Sequence, residues 1–336
     1  MNSATAVRRH WRVAGVVIAI ASSVVALGGT AGAAQGIPGA PPWAPGQGGP
    51  DVVHEMHGNG ARPGGGGRTS PLLTYHNGAV QTSPAVYLVF WGSQWNNNDP
   101  AGVAPQVASF LGGLYGAKDT WSTSTTQYCQ GVASGSTNCA LASASNKISH
   151  PNGSPLLGVL SDNTVTAPAH PKQSDLANEA VRAAGIFKTQ PGATFNPQAQ
   201  FVIATAHNNN ATGFGSSYCA WHSSTGSPYG NLAYTNLPYM PDAGGSCGAG
   251  YVNGANGALD GVTIVEGHEY AESVTDPFPN SGWLDANGAE NGDKCAWISS
   301  GQGKSTNVTN ANGTFPVQSL WSNSFNGGAG GCVTAY

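Results

Sequence analysis

Hydrophobic residues in this chain form two short continuous runs that predict buried β-strands. The runs cover 85–91 (AVYLVFW) and 200–206 (QFVIATA), and both are rich in β-branched and aromatic residues. Weaker strand patterns cover 232–237 and 315–321. Short runs of this composition are typical of buried strands.

Apolar residues recur at helical spacing in two further segments, 104–115 and 174–188, the second of which opens with Ser174 and Asp175 as a possible cap. A third helix is predicted from residue 260 to Asp276, because Pro277 restricts the residue before it. Together the patterns predict an α+β fold in which helices pack on a mixed β-sheet. The 49 glycines indicate a loop-rich chain.

The N-terminus has the pattern of a secretory signal peptide, residues 1–34. Arg8, Arg9 and Arg12 precede an apolar run at 13–27, and small residues at Ala31 and Ala33 suit signal peptidase. The run is shorter than the roughly 20 residues of a membrane span. We therefore expect a secreted, extracellular protein with no membrane attachment after signal removal. The pair Arg8-Arg9 hints at the twin-arginine export route, but the residues around it fit that signal poorly, so the export route stays open.

Residues 35–70 are dominated by Gly and Pro and contain few apolar residues that could order them. This composition predicts a disordered leader or a propeptide, whether or not it is cleaved. The remaining residues, 71–336, are expected to form a single globular α+β domain, either undivided or made of two closely packed lobes.

Charge and cysteine content narrow the class of protein further. The part after residue 34 keeps nine of the 12 basic residues against all 16 acidic ones and has no basic stripe, so we expect no nucleic-acid partner. An even number of cysteines in an exported chain predicts three disulfides. Six cysteines allow fifteen pairings; pairing of neighbours, each enclosing one loop, is our expectation. The expected bridges are Cys129 with Cys139, Cys219 with Cys247, and Cys295 with Cys332.

Half of the acidic residues fall within the 34 residues from 260 to 293. They surround the string His-Glu-Tyr-Ala-Glu at 268–272 on the third predicted helix. On a helix, His268 and Glu272 lie one turn apart and point the same way, as the two ligands of an HExxH zinc helix do. By the same logic Glu269 is the predicted catalytic base, which activates water beside a metal held by His268 and Glu272.

The metal and its remaining ligand stay open at this point. A carboxylate in place of the second imidazole makes the site harder, so Zn²⁺ is expected, with Mn²⁺ or Ca²⁺ as alternatives. Glu290 and Asp293, 18 and 21 residues after Glu272, are the predicted third ligands. Asp293 has a second possible role, the orientation of the His268 ring. His207 and His222 are more distant alternatives.

Two other acidic positions are weaker candidates. Asp276 lies eight residues beyond His268, about 12 Å along a helix axis. The segment 285–290 (DANGAE) resembles a calcium loop faintly, but its Asn-Gly pair is a strong turn signal that needs no ion. We therefore expect the metal ligands at His268, Glu272 and the segment around Glu290 and Asp293.

Several of these motifs together resemble those of the EXORDIUM-like, or phosphate-induced, secreted proteins of plants and their bacterial relatives. The resemblance rests on SPAVYL at 83–88 followed by FWG at 90–92, on CAW at 219–221, on GHE at 267–269 through TDP at 275–277, and on the spacing of Glu290, Asp293 and Cys295. It implies secretion and a shared fold. Plant members are associated with the cell wall and growth without an established reaction, and some lack the His-Glu pair that this chain keeps.

The sequence thus predicts a secreted zinc metallopeptidase, monomeric, with a peptide or protein substrate. The alternative is a non-catalytic extracellular or cell-wall-associated protein that binds polysaccharide and whose cation site is structural or vestigial. Trp95, Trp121 and Trp283 could then stack on sugars. A serine hydrolase is disfavoured because no GxSxG motif occurs.

Overall fold

The computed structural model of the chain describes residues 53–58, 71–149 and 153–336. All of these belong to one compact unit, Pro41–Tyr336. The predicted signal peptide and most of the predicted leader lie outside the described residues. Within the described ranges, no helix has the length and apolar character needed to cross a membrane.

The described residues contain twelve strands and four α-helices, numbered in chain order. The strands are β1 (Val53–His57), β2 (Thr74–Tyr75), β3 (Ala85–Trp91), β4 (Leu156–Asp162), β5 (Ala199–Thr205), β6 (Tyr218–Ser227), β7 (Gly230–Leu237), β8 (Trp283–Leu284), β9 (Thr306–Asn310), β10 (Gly313–Val317), β11 (Leu320–Ser322) and β12 (Gly331–Val333). The helices are α1 (Val103–Gly113), α2 (Gln173–Phe187), α3 (Asp260–Thr275) and the short α4 (Phe325–Gly328).

Six strands form one mixed sheet in the order β1-β6-β7-β5-β3-β4. The neighbours from β7 to β4 run parallel, whereas β6 is antiparallel to both β1 and β7. Three two-stranded sheets accompany it: β2 with β8, β9 with β10, and β11 with β12. With its helices and three disulfides, the chain has the α+β fold with a mixed sheet that the sequence predicts.

The central strand β3 shows why the apolar runs are continuous. Val86 and Leu88 belong to the hydrophobic cluster on one face of the sheet, which includes residues of α1 and α3. Tyr87 and Val89 belong to the cluster on the other face, which includes residues of α2. Because helices cover both faces, every residue of β3 and β5 is buried, as expected from the sequence.

Helix α3 is completely enclosed, with all 16 residues buried. It contacts β6, β7 and β10 and also α1. Its carboxylates therefore lie in the interior, where an ionised group requires an ion partner, strong hydrogen bonds or a metal. The fold thus places the HEYAE string where its charges need a partner.

The three disulfides pair as expected from the loop argument. Cys129 is bonded to Cys139, Cys219 to Cys247, and Cys295 to Cys332. Bridges of this kind are typical of proteins that fold in an oxidising compartment.

One described part of the predicted leader is a strand, which corrects the expectation of disorder for these residues. Strand β1 pairs with β6 at the edge of the main sheet. The side chain of Met56 is 1% exposed and belongs to the same core cluster as α3. The indole nitrogen of Trp297 also donates a hydrogen bond to the carbonyl of His57 (2.7 Å). The globular unit therefore includes residues before the predicted boundary at 71.

The three tryptophans that we considered for sugar stacking are core residues. Trp121 and Trp283 are fully buried and Trp95 is 9% exposed. Their indole nitrogens donate hydrogen bonds to the carbonyls of Gln318, Cys129 and Ala204, respectively. A buried ring that is held in this way has no face for a sugar, so this support for a polysaccharide partner is lost.

Candidate metal centre

Helix α3 and the segment 290–293 bring three of the predicted ligands together. The Nε2 atom of His268 lies 3.0 Å from Oε1 of Glu272, one turn further along the helix. Oδ1 of Asp293 lies 3.8 Å from the same nitrogen. The backbone N–H of Asp293 donates to Oε1 of Glu272 (2.9 Å). One imidazole nitrogen and two carboxylate oxygens therefore converge, a donor set that suits zinc.

The segment that carries Asp293 is held against α3 by its own backbone and side chains. The side-chain amide nitrogen of Asn291 donates to the backbone carbonyl of Ala271 (3.1 Å). The backbone carbonyl of Asn291 accepts from the backbone N–H of Trp321 (2.9 Å). Two residues beyond Asp293, the disulfide at Cys295 fixes the chain again. The position of Asp293 is thus set by contacts on both sides of it.

Gly292 allows the segment to approach the ligands closely. A Cβ atom at this position would lie 2.8 Å from Nδ1 of His268 and 2.9 Å from Oε1 of Glu272. Its φ of −77° is open to any residue, so the requirement for glycine is one of space. A side chain here would displace two of the three ligands.

A second group of donors lies on the other side of Glu272. His222, from the middle of β6, has Nε2 3.5 Å from Oε2 of Glu272 and 2.9 Å from Oε2 of Glu290. Atoms of His222, Glu269 and Glu272 all lie within 4.8 Å of one another. The structure therefore places Glu290 with His222, and it places Asp293 with His268.

Gln318 orients the ring of His268, and we did not anticipate it from the sequence. Its amide nitrogen donates to the carbonyls of Gly292 (2.8 Å) and Ser319 (3.2 Å), so its oxygen is the atom that faces Nδ1 of His268 at 3.2 Å. Because that oxygen only accepts, Nδ1 carries a proton, and Nε2 is the ring atom that a metal ion would bind. Gln318 thus has the orienting role that the sequence had offered to Asp293.

Glu269 belongs to the group of His222 and Glu272 and follows His268 directly along helix α3. It is fully buried, and neither carboxylate oxygen has a hydrogen-bond partner among the described residues. Burial, followed by repulsion from Glu272 and Glu266, raises the pKa of Glu269 well above its ordinary value. Such a carboxylate is suited to accept a proton or to face a cation.

The pKa values of His268 and Asp293 are also raised. Burial alone lowers the pKa of His268, but the charges of Glu272 and Asp293 and the bond to Gln318 outweigh it and raise the pKa to about 9. Burial and the neighbouring Glu272 raise the pKa of Asp293 to about 7, although the His268 charge opposes them. The metal-free centre therefore holds protons where a metal ion would take their place.

Solvent reaches the centre at one residue. The side chain of Asp293 is 19% exposed. The side chains of the other five residues, His222, His268, Glu269, Glu272 and Glu290, are buried. Any open coordination position for water or substrate must therefore lie on the Asp293 side.

The remaining candidates have separate structural roles. His207 is paired with Asp242 through Nδ1 and Oδ1 (2.5 Å), and neither donor group includes it. The carboxylate of Asp276 accepts from Ser281 and Gly282 and closes the turn after α3.

The faint calcium loop at 285–290 is a turn that closes on itself. Asp285 accepts from the backbone of Asn287 (2.8 Å) and Ala289 (3.1 Å), and its other oxygen accepts from the ammonium group of Lys294 (2.6 Å). The ammonium group of Lys294 is thus the cation that pairs with Asp285, in the place where a calcium loop would hold its ion.

Comparisons of the chain with family models, with curated proteins and with solved structures gave no match. The chemistry of its own residues is therefore the basis for the function of the centre.

Proposed function

We propose that this protein is a secreted, metal-dependent hydrolase that cleaves peptide bonds and holds zinc through His268, Glu272 and Asp293. The observation that carries the proposal is Glu269, a buried carboxylate without a hydrogen-bond partner in the described chain. It lies on the same helix as His268 and Glu272, which form a donor set with Asp293 from the segment 290–293. The three disulfides and the signal-like N-terminus support export. We also propose that the protein is related to the EXORDIUM-like secreted proteins that its motifs resemble.

The role of each residue follows from its position in the centre. A zinc ion in such a site supplies a Lewis acid that lowers the pKa of a bound water toward about 7. Gln318 holds the His268 ring so that Nε2 would face the ion. Gly292 leaves room for the side chains of His268 and Glu272. Glu269 takes a proton from the attacking water and returns it to the leaving amine, so that one water is consumed and the C–N bond breaks.

The test is the isosteric substitution Glu269→Gln, assayed on a mixed-sequence peptide library with mass spectrometry of the products. We expect wild type to cleave and the variant to lose activity by about 10²–10⁴-fold while it keeps its zinc. Glu266→Gln is the matched control, because Glu266 is equally buried and unpartnered among the described residues but belongs to neither donor group. Unchanged cleavage by Glu269→Gln would contradict the role of Glu269.

Burial of the centre favours a second candidate, a non-catalytic extracellular protein with a structural cation site. Five of the six residues around the centre are buried, and a structural site is closed whereas a catalytic one keeps an open position. The same assay separates the two. A wild-type protein that binds zinc but cleaves no peptide in the library, and that loses thermal stability when a chelator removes the metal, would support the structural role.

A further inference from the structure

Glu272 faces two different sets of donors with its two carboxylate oxygens. Oε1 lies against His268 and the backbone of Asp293, at 3.0 and 2.9 Å. Oε2 points to His222, at 3.5 Å. A carboxylate that spans two imidazoles in this way has the arrangement of a ligand that bridges two cations.

The spacing of the donor atoms on each side fits one cation. Two ligands at about 2.1 Å from a tetrahedral zinc ion lie about 3.4 Å from each other. On the His268 side the distances to Nε2 are 3.0 Å from Glu272 and 3.8 Å from Asp293. On the His222 side they are 2.9 Å from Glu290 and 3.5 Å from Glu272. On each side, two carboxylate oxygens thus lie at similar distances from one imidazole nitrogen. On the His222 side, the donor atoms that all lie within 4.8 Å of one another come from His222, Glu269 and Glu272.

Charge also argues for two cations. The centre contains four carboxylates and two imidazoles, and all of these side chains except that of Asp293 are buried. A single divalent cation would leave a formal charge of −2 if all four carboxylates were ionised, whereas two divalent cations would bring it to zero. Since uncompensated charge is costly in the interior, the second cation removes a large desolvation penalty.

Glu269 provides an independent sign that a ligand is needed on the His222 side. Its oxygens have no hydrogen-bond partner within the described part of the chain, and one of them lies within 4.8 Å of donor atoms of His222 and Glu272. The group that contains His268 does not include it. The unpartnered carboxylate therefore borders the second position, in addition to its place next to His268 on α3.

We propose that the centre binds two divalent transition-metal ions, bridged by Glu272. The first lies between His268 and Asp293, and the second lies between His222 and Glu290. This inference rests on the metal site of the proposed function and adds a second ion to it. Two ions about 3.5–4 Å apart form the cocatalytic arrangement of several hydrolases, in which both stabilise the reacting oxygens. The competing explanation is that His222 and Glu290 are a hydrogen-bonded pair that orients Glu272.

The first experiment is metal stoichiometry on the full secreted chain. The protein is stripped with a chelator, saturated with Zn²⁺, freed of excess metal by gel filtration and measured by plasma mass spectrometry. We expect two zinc ions per chain in wild type and in the control Glu266→Gln, and about one in His222→Gln and in Glu290→Gln. One ion in wild type, kept in His222→Gln but lost in His268→Gln, would overturn the second ion and leave the proposed function standing. No bound zinc in wild type would overturn both.

A second measurement does not depend on whether a variant folds. Anomalous diffraction at the zinc edge from wild-type crystals should show two peaks about 3.5–4 Å apart, one on each side of Glu272. A single peak between His268 and Asp293, with no second peak near His222, would overturn the inference.

Discussion

At the level of single residues, the sequence identified the part of the centre that a local pattern can encode. His268, Glu269 and Glu272 follow from helical spacing, and Asp293 from a nearby acidic segment. His222 was weighed only as a distant alternative, and Gln318 was missed. Both reach the centre through tertiary contacts, to Glu290 over 68 residues and to His268 over 50, and no spacing rule covers such contacts.

Gln318→Leu tests the orientation of the His268 ring. Without the acceptor at Nδ1 the ring loses its fixed tautomer and position, so we expect zinc affinity to fall by about 10–100-fold. Competition with a fluorescent zinc chelator measures the change. Gln200→Leu is the matched control, because Gln200 is equally buried but donates to Gln81 instead of to a site residue. Equal affinity in both variants would show that Gln318 does not position the ligand.

Gly292→Ala tests the requirement for space at the ligands. The added methyl group would lie within 3 Å of His268 and Glu272, so we expect weaker zinc binding with little change in the fold. Gly245→Ala serves as the control, since a Cβ there meets no atom within 4 Å. Isothermal titration of both chelator-stripped variants with Zn²⁺ gives the comparison. A Gly292→Ala protein with wild-type affinity would contradict the packing described here.

At the level of elements, the apolar runs predicted strands well, and the weaker strand pattern at 232–237 lies within β7. Segments without an apolar run were missed. The strand predicted at 85–91 coincides with β3, and the three predicted helices correspond to α1, α2 and α3 within a few residues. Strand β6 was missed because its second half is Ser, Thr and Gly, which lacks an apolar run. The weak strand pattern at 315–321 is in fact parts of two strands, β10 and β11.

Strand β1 escaped prediction because Gly- and Pro-rich sequence surrounds it. Met56→Ala tests whether this strand belongs to the folded unit. Since Met56 is buried in the main core, we expect the free energy of unfolding to fall by about 2–5 kcal/mol, measured by urea denaturation. Leu157→Ala, on the opposite edge strand β4 and 45% exposed, should cost about 0.5 kcal/mol or less. Equal costs for the two variants would mean that β1 does not contribute to the core.

At the level of the whole molecule, the disulfide pairing was predictable because each bridge closes one loop between neighbouring cysteines. The burial of α3 was not, because its sequence carries polar and apolar residues on every face. Such a helix normally lies at a surface. Here His268, Glu269 and Glu272 belong to the two donor groups of the centre, and the carboxylate of Asp260 accepts from the backbone N–H groups of Val252 and Asn253.

The upward pKa shifts predict an unusual pH dependence of stability for the metal-free protein. The pKa of His268 rises from 6.5 to about 9 and that of Asp293 from 3.8 to about 7, while burial raises that of Glu269. The folded chain therefore holds more protons than the unfolded chain between about pH 4 and 9, and the free energy of unfolding falls as pH rises through this window.

Thermal unfolding at pH 5 and pH 8 checks this sign. With chelator present, we expect a lower midpoint at pH 8 than at pH 5. With zinc present, the difference should shrink or reverse, because the ion replaces protons on the deprotonated ligands. A metal-free midpoint that rises from pH 5 to pH 8 would contradict the electrostatics of the centre.

The central claim is that this chain binds a metal ion through His268, and metal content tests it most directly. Plasma mass spectrometry of the purified protein, wild type beside His268→Ala, gives the metal per chain after passage through buffer that contains zinc. We predict zinc in wild type and a loss of at least the ion at His268 in the variant. The absence of bound metal from a folded wild-type protein would contradict the account and make the HEYAE segment an ordinary part of a buried helix.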